Sequence, residues 1–277
     1  MVTWRRRVLR VGGLGLHVAR AGPSAAPALV ALHGIGDDGP CWSEIADDLA
    51  RDHDVVLLDA RGHGRSAAPP SGYGTSEHVG DVVGVLDVLG LRRPALLGHS
   101  MGAVTALALA ALHPGLPGGI VLEDPPPWWR RPSPPSAADL ARTASLRRTI
   151  LALKRRTHEE LVAIQREAAP GWSEATVQRW AASTQRLSPY VPLALEDQHR
   201  SNGALDWPRL LPSVTCPVLV LHGDTERGGA LTPAAAAALQ AGIAHAEVER
   251  LPGTGHAPRH EDPLAYLAMV RRFLARW

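Results

Sequence analysis

The sequence predicts an α/β protein, a mostly parallel, eight-stranded, doubly wound sheet interrupted by one helical insertion. Three observations predict it. Short continuous apolar runs alternate with amphipathic segments along most of the 277 residues. One of those runs leads into a glycine-flanked serine that opens a helix. One long stretch, Pro125 to about Pro212, carries no strand pattern at all.

The elements follow in order. Val8 to Val11 and Leu14 to Val18 flank Gly12-Gly13 and read as a hairpin. Ala28 to Leu32, Val55 to Leu58, Ala95 to Leu97, Ile120 to Leu122 and Val218 to Leu221 are apolar without alternation, as strands buried on both faces are. Val248 to Leu251 is a weaker eighth strand. Helical patterns lie between them at Trp42 to Ala50, Glu77 to Leu89, Met101 to Leu112, Pro233 to Leu239 and Pro263 to Phe273. The insertion opens with Pro125-Pro126-Pro127-Trp128-Trp129-Arg130-Arg131-Pro132. It continues through helical segments near Leu140 to Leu153, Glu159 to Glu167 and Glu174 to Arg186. An insertion after the sixth strand sits over the carboxyl ends of the strands, where open α/β sheets place their sites. The expected division is a core domain of 1–124 and 213–277 and a helical cap of 125–212.

Composition excludes more than it selects. A net charge of +2 implies no polyanion partner, so nucleic acid is not expected. Arg5-Arg6-Arg7 precede no apolar signal core, and no run is long enough to span a membrane, so a cytoplasmic protein without membrane attachment is expected. Cys41 and Cys216 have no metal-ligand spacing and read as two reduced thiols. Neither a metal nor another cofactor is implied.

Gly98-His99-Ser100-Met101-Gly102 carries the chemistry. A serine on a sharp turn from strand to helix holds its hydroxyl clear of the sheet, and glycines two residues to either side avoid collisions across the turn. The helix start supplies backbone N–H groups beside it for an anionic intermediate. A serine hydroxyl needs a base to take its proton. Among the 13 histidines the choice falls on His256, in Gly253-Thr254-Gly255-His256 just beyond the last strand.

With these motifs in this order, the chain resembles the α/β-hydrolase fold family along nearly its whole length. The resemblance implies the following roles. His33-Gly34-Ile35-Gly36 matches the loop after the third strand whose backbone N–H, here that of Ile35, joins that of Met101 in an oxyanion hole. Asp59-Ala60-Arg61-Gly62-His63-Gly64-Arg65-Ser66 matches the loop after the fourth strand. Ser100 is the nucleophile, His256 the general base and acid, and the helical insertion the cap. His99 is expected to pack, because the turn points it away from the hydroxyl, and His33 and His63 to support loops.

The third catalytic residue has two candidates. Most of the family carries the acid after the seventh strand, where Gly223-Asp224-Thr225-Glu226 offers Glu226, with Asp224 beside it. A minority, including lactone hydrolases, carries it after the sixth strand, where Asp124 stands. Asp124 is preferred and Glu226 is the alternative.

Five of the eight tryptophans, Trp128, Trp129, Trp172, Trp180 and Trp207, fall in the insertion. Trp128 and Trp129, next to the sixth strand, are expected to touch substrate, and the others to pack the cap. The expected activity is hydrolysis of an ester or lactone of a hydrophobic small molecule by a monomer or homodimer. A carbon–carbon bond hydrolase, a cofactor-free perhydrolase and a ligand receptor on a hydrolase scaffold are the alternatives.

Overall fold

The computed structural model describes residues 2–130, 136–196 and 204–276. Its sheet contains β1 (Arg5–Val11), β2 (Leu14–Ala21), β3 (Ala28–Leu32), β4 (Asp54–Leu58), β5 (Ala95–His99), β6 (Gly119–Glu123), β7 (Val218–His222) and β8 (Ala246–Arg250). They lie side by side in the order β1-β2-β4-β3-β5-β6-β7-β8. Only the β1–β2 and β2–β4 pairs are antiparallel. The hairpin is longer than the sequence predicts, because Arg5 to Arg7 pair with Val18 to Arg20 through the backbone alone. Those exposed arginines carry no apolar signal, and charge on an edge strand discourages pairing with a second sheet.

Alternate residues of each central strand feed two different cores. Val30, Leu32, Val56 and Leu58 join one apolar cluster, and Leu29, Ala31, Val55 and Leu57 join the other. This is why the runs lack polar alternation. The first cluster lies beneath α2 (Thr75–Leu89), α3 (Met101–Leu112) and the helix Pro233–Gly242; the second lies beneath α1 (Ser43–Leu49) and the C-terminal helix Pro263–Leu274. All residues from Gly102 to Ala111 are buried, so α3 is sandwiched and presents no polar face.

The insertion folds into α4 (Ala137–Leu153), α5 (His158–Ala168), α6 (Glu174–Arg186) and a turn at Tyr190–Leu193. Side-chain caps set where the first three begin: Ser136 with Asp139, Thr157 with Glu160, and Ser173 onto Thr176 N. Arg131 and Pro132 of the predicted opening lie outside the described residues. Polar contacts tie the insertion to the sheet layer at several places, among them Ser188 N to Gly62 O at 2.8 Å. Arg186 Nε donates to the buried Asp38 carboxylate at 3.0 Å, and Thr176 Oγ1 donates to Glu44 at 3.0 Å. Trp207 and Leu211, near the end of the insertion, bury in the first apolar cluster. Among the described residues no helix is long and apolar enough to cross a membrane.

Several buried histidines are held neutral. Burial pushes His63 and His78 down to about 3, and burial with the nearby Arg259 charge takes His260 to about 4. In the unfolded chain these groups titrate near 6.5, so below that pH the unfolded state binds more protons and stability falls with acidification. We expect the melting temperature to drop steadily from pH 7 to pH 5, by about 1 kcal/mol of stability per pH unit for each such histidine. Thermal unfolding followed by circular dichroism checks this, and a constant melting temperature across that range contradicts it.

Candidate active site

Ser100 lies between β5 and α3 with φ 50° and ψ −110°. This backbone conformation costs a non-glycine residue about 1–3 kcal/mol. It persists because both sides of the residue are held: Ser100 N donates to Glu123 O at 3.0 Å and Val104 N donates to Ser100 O at 3.1 Å. The flanking glycines allow a backbone approach that no side chain tolerates. A Cβ at Gly98 would stand 2.4 Å from Gly102 O, and one at Gly102 would stand 2.0 Å from Leu32 O.

His256 follows β8 on a loop clamped from several sides. Gly255 N donates to Glu261 Oε2 at 2.9 Å, Asp224 N donates to Thr254 O at 2.7 Å, and His99 Nε2 donates to His256 O at 2.9 Å. The ring bridges two of the predicted residues. His256 Nδ1 lies 2.5 Å from Asp124 Oδ2, and Nε2 lies 3.1 Å from Ser100 Oγ. A carboxylate only accepts, so the proton sits on Nδ1 and the free lone pair of Nε2 faces the serine hydroxyl.

Asp124 leaves β6 with φ 41° and is fully buried. Its carboxylate also accepts from Ala230 N at 2.6 Å and Leu231 N at 3.1 Å. The loop after β7 therefore orients this carboxylate through its backbone. Of the other two carboxylates considered, Glu226 is exposed on the turn Thr225–Arg227. Asp224 is bound to Arg250 Nε at 2.6 Å and Gly253 N at 2.8 Å. Among the described residues neither hydrogen-bonds His256.

Ser100 and His256 open into a cleft of about 720 Å³ between the sheet and the insertion. Ile35 lines it beside Ser100, and Met101 opens α3, where its N–H has no acceptor one turn back in its own helix. The tryptophans are distributed differently from the expectation. Trp128 and Trp129 form a short turn packed on the first apolar cluster, with Trp129 Nε1 donating to Ala235 O at 3.0 Å. Trp172 and Trp180, expected to pack the cap, line the cleft instead. Both are partly buried against the α5–α6 apolar cluster, and the Trp172 ring also meets His260 with centroids 4.6 Å apart.

Sequence reasoning missed a buried ionic group under the site. Arg259 is 1% exposed; its Nη1 donates to Glu123 Oε2 at 3.0 Å and its Nη2 to Asp37 Oδ2 at 3.1 Å. Burial alone would lower the Arg259 pKa, but Glu123 and Asp37 outweigh it and hold it above the ordinary value. Burial alone would likewise raise that of Asp37, but His99 and Arg259 hold its carboxyl well below the usual range. His99 Nδ1 lies 3.6 Å from Asp37 Oδ2, beyond hydrogen-bond reach, and burial lowers the His99 pKa. The one sequence signal was an acidic residue, Glu123, ending an apolar strand.

The family sequence model described as "Alpha/beta hydrolase family" matches residues 29–269, and the chain belongs to that family. It is a hydrolase of the α/β-hydrolase fold. It is 29% identical to the N-formylmaleamate deformylase of Pseudomonas putida over 98% of this chain and 92% of that protein. An esterase structure from Rhodococcus sp. superposes with a TM-score of 0.74 at 28% identity, covering 99% of this chain and 98% of that one. The enol-lactonase of Burkholderia xenovorans LB400 superposes with a TM-score of 0.78 at 25% identity, covering 98% and 100%.

Because α3 meets the Leu32 carbonyl at Gly102, Gly102→Ala is expected to displace the turn and lower stability by about 1–3 kcal/mol. Hydrolytic activity should fall with it. Retention of both melting temperature and rate would contradict the close approach.

Proposed function

We propose that the protein is a serine hydrolase cleaving an ester or lactone bond of a hydrophobic small molecule through an acyl-enzyme. The observation that carries this reading is the continuous line of hydrogen bonds Asp124–His256–Ser100, ending at a hydroxyl that faces the cleft. Ser100 Oγ attacks the carbonyl carbon while His256 Nε2 takes its proton. The oxygen that becomes negative is stabilised by the N–H groups of Ile35 and Met101, each contributing about 2.7–4 kcal/mol to lowering the barrier. His256 then protonates the leaving alkoxide. Asp124 stabilises the imidazolium that forms, its carboxylate oriented by the Ala230 and Leu231 amides. Water, activated by the same histidine, attacks the acyl-enzyme and regenerates Ser100.

Trp172, Trp180, Leu146 and Pro170 supply apolar surface on the insertion side of the cleft, which supports an apolar acyl or alcohol group. The esterase and enol-lactonase among the similar structures support carboxylic ester chemistry. Cys41 and Cys216 are free and buried, which supports the cytoplasm as the working compartment.

A fluorophosphonate should label Ser100 and abolish hydrolysis of a small ester panel, and Ser100→Ala should lose both labelling and turnover. Full activity in Ser100→Ala overturns the mechanism. Asp124→Asn should keep the shape but favour the wrong histidine tautomer, lowering kcat by about 10⁴. Glu226→Gln should leave the rate within about ten-fold, or 1.4 kcal/mol of barrier. The opposite ranking moves the acid to the β7 loop. For the cleft wall, Trp172→Ala should reduce kcat/KM for bulky apolar esters about ten-fold more than for an acetate, and Trp128→Ala should not discriminate. Steady-state kinetics on the two ester sizes decides between them.

A further inference from the structure

Arg259, Glu123 and Asp37 form an ionic group that stability alone does not call for. Removing three charges from water is costly, and well-packed apolar replacements for such groups are often neutral or stabilising. What the charges supply is direction. Arg259 follows His256 by three residues, and it grips the Glu123 carboxylate twice, through its backbone N to Oε1 at 3.1 Å and through Nη1 to Oε2 at 3.0 Å. Glu123 immediately precedes Asp124. The remaining arm, Nη2, reaches Asp37 Oδ2 at 3.1 Å, two residues beyond Ile35. The guanidinium carbon lies over the Trp42 ring, 4.5 Å from its centroid, a cation–π contact that adds a further hold on the group. Asp37 in turn faces His99 at 3.6 Å, and His99 Nε2 donates to His256 O.

Resting on the serine-hydrolase reading, we propose that Arg259 is a positioning residue for the reaction. One guanidinium fixes three segments against each other: the end of β6 carrying Asp124, the loop carrying His256, and the loop carrying the Ile35 oxyanion donor. A lysine ammonium is a point charge without the planar fork, so it can neutralise the carboxylates without reproducing this arrangement. A displacement of about 1 Å between reacting groups costs on the order of 10²-fold in rate.

The test uses two variants of the full chain, Arg259→Lys and the charge-free triple Arg259→Met/Glu123→Gln/Asp37→Asn. Melting temperature, kcat and KM are measured on an ester that the wild type turns over. The deshielded proton between His256 Nδ1 and Asp124 is followed by NMR. The triple variant should melt near or above the wild type. Both variants should keep KM within about two-fold, lose kcat by about ten- to a hundred-fold, and shift or broaden the deshielded proton. A folded variant with wild-type kcat and an unchanged proton overturns the proposal. A rise in KM with kcat intact overturns it too, by making Arg259 a substrate contact. If both variants fail to fold, Arg259 is a stability residue and the proposal falls. These outcomes are separate from failure of the serine mechanism, which is read by Ser100→Ala with the ionic group intact.

Discussion

The approach of α3 to the sheet at Gly102 leaves no room for a single added carbon, and the geometry of the site depends on that approach. A helix starting so close to the β3 carbonyls forces the connecting residue into a left-handed conformation. That conformation throws the Ser100 side chain outward rather than along the strand. The small residues of α3 keep the helix down against the sheet, and their complete burial makes the cost of the strained residue tolerable. The same descent brings the Met101 amide next to the hydroxyl. Gly34 plays the matching part on the β3 loop, where a Cβ would stand 2.6 Å from His99 Nδ1. Nucleophile turn and oxyanion loop are therefore packed backbone against ring, with His99 as the spacer.

Strain also marks the acid. Ser100, Asp124 and Arg93 are the non-glycine residues with positive φ among those described. Two of the three meet at His256. Asp124 follows directly on β6, so an extended backbone would point its side chain to one face of the sheet. The left-handed turn instead aims the carboxylate at the histidine, and the loop after β7 receives it with two amide donors. That loop supports the charge without supplying it. Asp224, two residues before Glu226 on the loop where most of the family carries its acid, is occupied in holding Arg250 and Gly253.

Much of this was legible in the sequence because it rests on local patterns. The strand runs, the glycine-serine turn, the helix limits and the loops holding Ile35 and His256 each carry a short-range signature. The choice between Asp124 and Glu226 was not local: both follow a strand, and only the reach across 132 residues to His256 separates them. The placement of the tryptophans was not local for a related reason. Adjacency to β6 suggested that Trp128 and Trp129 face the cleft. The three prolines before them instead lead into a tight turn, which returns both rings to the apolar cluster under the sheet's flanking helices. Which face of α6 would carry Trp180 over the cleft could not be read without the packing of α5 against it. The group of Arg259, Glu123 and Asp37 joins residues up to 222 positions apart, and none of the three belongs to a motif.

Two electrostatic layers emerge from that arrangement, and they differ in what surrounds them. The Asp124–His256–Ser100 line borders the cleft, where the His256 side chain is 41% exposed and water or substrate can reach it. The Arg259 group lies deeper in the wall of the same cleft, with the Arg259 side chain 1% exposed between Glu123 and Asp37 and its guanidinium carbon over the Trp42 ring. A charge pair so deeply buried is screened less than a pair at the surface. In the proposed mechanism the outer layer moves a proton in each cycle, and its partners change charge as it does so. An ionic frame anchored one residue from Asp124, two from Ile35 and three from His256 would let that transfer occur without the loops relaxing to follow it, which is the condition under which prearranged donors lower a barrier.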